Sequence, residues 1–197
     1  MAVTSVCAQL VNGLDVGCIA PVRKAYQQAV LINKNDIDTF TVSLPDAGAV
    51  PPTCAYSVEF ALKAGTTGYR ITGTEAGSSF FGSSDKTRGN LGFVQYIHNV
   101  GILIAGISEQ FKCVLDSIDK GSFVIALQWK DGTVEIFGFV NGLTTGDYSY
   151  NVQEGGGGTQ IILSSLEDAP ENNLPLIYKS AVPDQENIDF DDAFAVA

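Results

Sequence analysis

Few side chains in this sequence combine a reactive type with the spacing that chemistry would need. The single histidine, His98, is the only imidazole available as a general base, and it lies within an apolar, strand-like run. A hydrogen-bonded structural histidine explains this position better than a catalytic base. Asp116 and Asp119 lie three residues apart on the polar side of a predicted helix, where a solvated helix face explains them better than an acid–base pair. These residues therefore predict no catalytic site.

The cysteines and the acidic residues do not predict a metal or cofactor site either. The four cysteines are Cys7, Cys18, Cys54 and Cys113. They form no Cys-x-x-Cys pair, and one histidine cannot complete a zinc site. Cys7 and Cys18 could pair, but nothing in the sequence requires it. Asp189, Asp191 and Asp192 offer oxygen ligands for Ca²⁺, yet their segment lacks the spacing and the turn glycine of an EF-hand. We therefore expect no enzyme, no cofactor and no metal.

The chain is strongly acidic, with 22 Asp and Glu residues against 11 Lys and Arg residues and a net charge of −11. Tight binding of nucleic acid through phosphate neutralisation is therefore not expected. An acidic surface would let DNA slide past without sticking, although acidity also serves simply to keep a protein soluble. No apolar run is long enough to span a membrane, and the first residues lack the blocks of a signal peptide. We expect no membrane partner and folding in a cytoplasm.

Residues 108–121 form the clearest predicted element, an amphipathic helix. Its apolar stripe, at positions i, i+3, i+4 and i+7, consists of Phe111, Val114, Leu115 and Ile118. Ser108 is a suitable N-cap, and Gly121 can take the left-handed conformation that ends a helix. Cys113 falls inside the helix, where we expect a small, mostly buried thiol.

Strand-like segments flank this helix and complete an organising region at 91–146. One precedes it at 93–105, and two follow at 123–129 and 134–139, joined by Asp131-Gly132, a strong hairpin-turn signal. A single helix must bury its apolar face on the surrounding strands. We therefore predict a mainly β fold, a β-sandwich or mostly antiparallel barrel with one packed α-helix near 108–120.

Further strands are predicted from apolar runs and from alternation of apolar and polar residues. They lie at 25–32, 39–44, 54–64, 160–163 and 176–178. We expect residues 1–182 to form a single β-rich domain and residues 183–197 to form an acidic C-terminal tail. The alternative is an arm that orders on a partner, for which Phe190 and Phe194 indicate docking through a short helix, but a solvated tail is the favoured interpretation.

Residues 64–90 are the most unusual segment, because these 27 residues include six Gly and nine Ser or Thr. The segment also contains three basic residues and three aromatic residues, namely Arg70, Lys86, Arg88, Tyr69, Phe80 and Phe81. We predict a long projecting loop, either an arm that orders against a neighbouring subunit or a mobile hairpin tip. The aromatic residues favour the arm, because exposing large aromatic side chains to water without any protein contact is unfavourable.

Two parts of the sequence carry a resemblance to a known family. Residues 17–26 read Gly-Cys-Ile-Ala-Pro-Val-Arg-Lys-Ala-Tyr. Residues 158–167 read Gly-Thr-Gln-Ile-Ile-Leu-Ser-Ser-Leu-Glu and are followed by Asn-Leu-Pro-Leu-Ile-Tyr at 173–178. With the strand, helix and hairpin order of 91–146, these segments resemble tail structural proteins of tailed bacteriophages, in particular the tail-tube-like family of phages from Bacteroides-type hosts.

The resemblance implies a structural virion protein and no individual site residue. It implies a homo-oligomeric ring, hexameric and stacked, that self-assembles around the DNA channel used for genome ejection. Other tail proteins would be partners, and DNA would pass through the lumen without sequence-specific binding. The protein would be assembled in the cytoplasm of the host bacterium and would reside in the virion tail. The alternative function is a monomeric β-sandwich binding module for a glycan or a protein ligand.

Overall fold

The computed structural model describes residues 28–44, 55–72, 80–88, 93–105, 109–148 and 158–195. Within these residues the chain is mainly β, with a helix at the predicted place, so the predicted fold class is confirmed. The strands are β1 Gln28–Asn33, β2 Ile37–Ser43, β3 Ser57–Leu62, β4 Tyr69–Thr72, β5 Phe80–Arg88, β6 Val94–Ala105, β7 Phe123–Gln128, β8 Val134–Phe137, β9 Thr144–Thr145, β10 Gly158–Ser164 and β11 Leu176–Tyr178. The helices are α1 Glu109–Asp119 and α2 Glu186–Asp191, and a 3₁₀ turn spans Lys34–Asp36.

The strands form two sheets. A seven-stranded sheet has the order β2-β3-β11-β8-β7-β1-β4, and a four-stranded sheet has the order β5-β6-β10-β9. The described pairings are antiparallel except for β11 and β3, which run parallel. The strands β2 and β4 are the edges of the large sheet, and β5 and β9 are the edges of the small one.

The large sheet is covered on both faces. Leu31, Ile125 and Leu127 point into a core that they share with residues of the small sheet such as Ile102 and Ile161. The alternate residues of β1 and β7 point into a second core on the opposite face, and they are Val30, Ile32, Val124 and Ala126. This double burial explains why β1 and β7 read as continuous apolar runs rather than as alternating ones.

Helix α1 packs on the core between the sheets through Leu115 and Ile118, as the stripe predicts. Val114, at the margin of the stripe, is 43% exposed. The expectation of a buried thiol at Cys113 is wrong, because this residue is exposed on the side of the helix away from Leu115. Gly121 also differs from expectation. It is not left-handed but lies so close to the ring of Phe123 that a Cβ atom would clash with it.

The predicted projecting loop at 64–90 is wrong for two stretches that the structure describes. Residues 69–72 form β4 and residues 80–88 form β5, and Phe80 is buried in the core between the sheets. Strand β5 is an edge strand with one face in water, so its Ser, Thr and charged residues fit a strand as well as a loop. Residues 73–79 and 89–90 lie outside the described residues.

The expected solvated tail is wrong for residues 183–195. Helix α2 and the turn after it dock on the large sheet, with Phe190 and Phe194 both in its second core. Backbone contacts reinforce the docking, because the amide of Gly68 donates to the carbonyl of Ala193 at 2.8 Å. Phe190 and Phe194 do dock, but on the chain's own sheet rather than on a partner.

Candidate assembly surfaces

His98 is a buried structural residue, as its sequence position predicts. Its exposed fraction is 2%. Its Nδ1 accepts a hydrogen bond from the amide of Gly138 at 3.1 Å, and its Nε2 donates to the carbonyl of Asn173 at 2.8 Å. Both contacts require the neutral ring with its proton on Nε2. Burial lowers the pKa of His98 to about 4, although the bond to Asn173 opposes the shift.

Glu171 is a buried carboxylate that the sequence does not reveal, because it lies in a polar, acidic segment. Its two oxygens accept hydrogen bonds from the amides of Val140 at 2.9 Å and Asn141 at 2.8 Å. Beside it, the ammonium of Lys34 donates to the carbonyl of Phe139. Burial lowers the pKa of Lys34, and the charge of Glu171 partly opposes that shift. Together with His98, these groups fix the turn at 138–142.

The aspartates with candidate spacing are occupied by structural contacts. Asp116 forms an exposed ion pair with Lys120 at 2.7 Å, and Asp119 accepts from the hydroxyl of Tyr148 at 2.8 Å. These contacts are those of a solvated helix face, which is the interpretation that the sequence favours.

Two of the three candidate aspartates of the C-terminal segment also have protein partners. Asp191 pairs with Arg70 at 2.6 Å, and Asp189 accepts from the hydroxyl of Tyr178 at 2.8 Å. Among the described residues, no group of three or more His, Cys, Asp or Glu could hold a metal ion. Neither described helix is long and apolar enough to cross a membrane. The remaining candidates for function are surfaces.

The first surface is the outer face of the four-stranded sheet, which no described element covers. Phe81, Gly101 and Ile162 lie side by side across β5, β6 and β10. The ring of Phe81 lies directly on Gly101, where a Cβ atom would clash with it. Phe81 and Ile162 remain exposed, as does Leu103 two residues further along β6. We call this set the apolar row, and we treat it as a candidate contact surface, because large contiguous apolar patches on proteins mark interaction sites.

The second surface is the end of the β5–β6 hairpin. On its other side, away from β5, strand β6 also pairs with other parts of the chain. Towards the hairpin end, the last described pairing on that side is the bridge between Tyr96 and Glu171. Pairing between β5 and β6 continues beyond that point to Arg88 and Val94. The hairpin therefore extends past the rest of its sheet as a two-stranded ribbon.

We call the described end of this ribbon the hairpin tip, and it consists of Lys86, Arg88, Phe93 and Val94. All four residues are exposed, and Phe93 is 69% exposed. Lys86 pairs with Tyr96, and Arg88 with Val94. Because directly paired residues project from the same side of a sheet, the two cations share one face with apolar neighbours.

The third surface is a groove between the edge of the large sheet and the C-terminal segment. We call it the aromatic groove, and it has a cavity volume of about 280 Å³. Its walls include residues of β2, β3 and 178–195, and its aromatic residues are Phe40, Phe60, Tyr178 and Phe194. Phe40 projects from the edge strand β2 and is 61% exposed, with its ring edge-on to that of Phe139 at 5.4 Å.

The aromatic groove is electronegative. The described residues that line it include Glu59 and Asp189 but no Lys or Arg. The negative charge of the groove affects the pKa of the Tyr178 hydroxyl. Burial raises the pKa of Tyr178, and the hydrogen bond to Asp189 and the charges of Asp189 and Glu59 raise it further. The groove therefore suits an apolar group that carries positive charge.

Searches of protein-family models, of curated proteins and of solved structures found no match to this chain.

Some residues of these three surfaces can be identified from the sequence alone, and others cannot. The cations at Lys86 and Arg88 and the aromatic residue Phe81 stand out in the sequence, and each reaches a surface. The groove could not be found, because it forms only when β2 meets residues more than a hundred positions away. A weak signal exists at Phe40, a large apolar residue in a strand that otherwise exposes Asp, Thr and Ser.

Proposed function

We propose that this chain is a structural virion protein of a tailed bacteriophage, a tail-tube or related ring-forming tail subunit. The observation that carries the proposal is the four-stranded sheet, whose outer face bears the apolar row and whose hairpin extends past its neighbours. In a ring, neighbouring subunits would cover such surfaces, whereas in a monomer the surfaces would remain exposed to water.

The charge of the chain supports the same role. A net charge of −11 makes a ring that repels DNA phosphates rather than one that binds them. Such a lumen would let DNA pass without sequence-specific contacts during genome ejection. In this proposal the rings are hexameric and stack into a tube, other tail proteins bind the ends of the tube, and assembly takes place in the cytoplasm of the host bacterium.

Negative-stain electron microscopy of the purified protein at high concentration tests this proposal. We expect rings or tubes with an axial channel. Ile162→Asp places a charge in the apolar row and should abolish them, whereas Val114→Asp places the same charge on an exposed position of α1 and should not. Separate, featureless particles from the unmodified chain would overturn the proposal.

The aromatic groove favours a second candidate function, a monomeric β-sandwich module that binds a glycan or a protein ligand. Aromatic walls beside polar groups are typical of ligand sites, although a volume of about 280 Å³ is at the lower end of their range. A stable monomer that binds a ligand in titration experiments, and loses it with Phe40→Ala, would support this second function.

A further inference from the structure

The hairpin tip carries positive charge that the rest of the described chain does not use. The ion pairs of the described residues involve Arg70, Lys120 and Lys179, and neither Lys86 nor Arg88 takes part in one. Two exposed cations thus lie beside exposed apolar side chains, in a chain whose net charge is −11. The tip therefore matches a partner that is both acidic and apolar.

The aromatic groove has the opposite charge and the same apolar character. Its two acidic residues, Glu59 and Asp189, are accompanied by four aromatic residues. Phe60, Tyr178 and Phe194 are buried within the subunit, and Phe40 is exposed and can receive an apolar side chain or the face of a guanidinium. No described residue of the hairpin lines the groove, so within one copy the tip does not fill it. The hairpin tip and the aromatic groove are thus complementary in charge, and each can meet the other on a second copy of the same chain.

We propose that the hairpin tip of one subunit inserts into the aromatic groove of a second subunit, with Phe93 and Val94 against the aromatic walls and Arg88 facing Glu59. This inference rests on the proposed self-assembly and names the contact that would drive it. Because the tip and the groove are different surfaces, the contact is head to tail, and head-to-tail contacts repeat to give rings or filaments.

Charge reversal tests the pairing. We expect Arg88→Glu and Glu59→Lys each to weaken self-association at least about tenfold, because each places like charges across the contact. The double variant Arg88→Glu/Glu59→Lys restores opposite charges and should recover most of the lost affinity. Sedimentation velocity over a concentration series measures all three, and circular dichroism confirms that each variant folds.

Matched controls exclude a general effect of charge. Lys112→Glu, on the exposed side of α1, and Glu167→Lys, in an exposed turn, make the same two changes of net charge away from both surfaces. They should leave self-association within about twofold of the unmodified chain. A second tip variant, Phe93→Ser, tests the apolar part of the contact without changing the charge and should also weaken association.

The outcomes separate this inference from the proposed function. If the unmodified chain forms rings or tubes and the reversed variants assemble equally well, the tip-to-groove contact is wrong and the proposed function stands. If the single variants dissociate but the double variant does not recover, the pairing of Arg88 with Glu59 is wrong. If the unmodified chain does not self-associate, both the function and the contact are overturned.

Discussion

His98 joins three separate parts of the chain through its position in β6 and its two ring contacts. The amide of Gly138 and the carbonyl of Asn173 would both lose their partners if the ring were removed. Glu171 binds the same turn from the other side through the amides of Val140 and Asn141. A buried polar network of this kind fixes one backbone arrangement, because each unpaired buried group costs about 1–3 kcal/mol.

The protonation of His98 makes the stability of the fold depend on pH. The folded state keeps the ring neutral down to about pH 4, whereas the unfolded chain protonates it near pH 6.5. Unfolding therefore takes up a proton between these values. The free energy of unfolding should fall by about 3 kcal/mol as the pH is lowered from 7 to 4. Above pH 6.5 the contribution of His98 should not change.

Urea unfolding at pH 7 and at pH 4.5 checks this expectation, with His98→Gln as the control. Glutamine does not titrate, so the variant retains the pH dependence of the carboxylates and loses only that of the imidazole. The decrease between the two pH values should be smaller in the variant than in the unmodified chain. Equal decreases would show that His98 is not held neutral in the folded state.

Helix α1 depends on Leu115 and Ile118, which are buried among its described side chains. Leu115→Asp should destabilise the fold by about 4 kcal/mol, because it removes a packed side chain and buries a carboxyl group without a partner. Cys113→Asp makes a comparable change on the exposed side of the same helix and should alter stability by no more than about 0.5 kcal/mol. Thermal unfolding followed by circular dichroism distinguishes the two, and equal effects would contradict the assigned orientation of the helix.

The C-terminal segment is expected to contribute to stability rather than to behave as a tail. Phe190 is fully buried at 0% exposure, and the side chain of Arg70 lies over its ring at 5.9 Å. Phe190→Ala should lower the free energy of unfolding by about 3–5 kcal/mol. Ile188→Ala, at an exposed position of the same helix, should have little effect. An unchanged urea midpoint for Phe190→Ala would show that the helix does not dock in solution.

Among the helices, strands and turns, the sequence correctly predicts those whose residues follow a strong local pattern of apolar positions or turn residues. The stripe of α1, the apolar runs of β1 and β7 and the Asp-Gly turn between β7 and β8 all coincide with the structure. At that turn Gly132 takes a φ of +86°, which glycine allows. Strand β5 was missed because its Gly, Ser and Thr residues give the same local signal as a loop.

Pairings between distant segments lie beyond what a local pattern can predict. Strand β11 lies between β3 and β8, and no short-range signal in Leu176–Tyr178 specifies either neighbour. The same reason hides the aromatic groove, whose two walls come from β2–β3 and from residues near the C-terminal end. The hairpin tip is easier to anticipate, because its cations and aromatic neighbours are close together in the sequence.

The whole molecule has an asymmetry that bears on its role. The large sheet is covered on one face by the small sheet and on the other by the C-terminal segment, so the apolar residues of its strands β1 and β7 are buried within the subunit. Within the part of the chain that the structure describes, no element covers the outer face of the small sheet, which bears the apolar row. The candidate contact surfaces among these residues are the apolar row, the hairpin tip and the edge strand β2 with the groove beside it. This distribution is what a subunit with several neighbours needs.

Self-association is the central claim, and multi-angle light scattering on the purified protein tests it most directly. A monomer has a mass of 20.8 kDa. We expect a molar mass that rises with concentration to a multiple of this value, and a lower molar mass for Arg88→Glu at each concentration under the same conditions. A mass that stays at that of the monomer at every concentration up to the solubility limit would contradict the account.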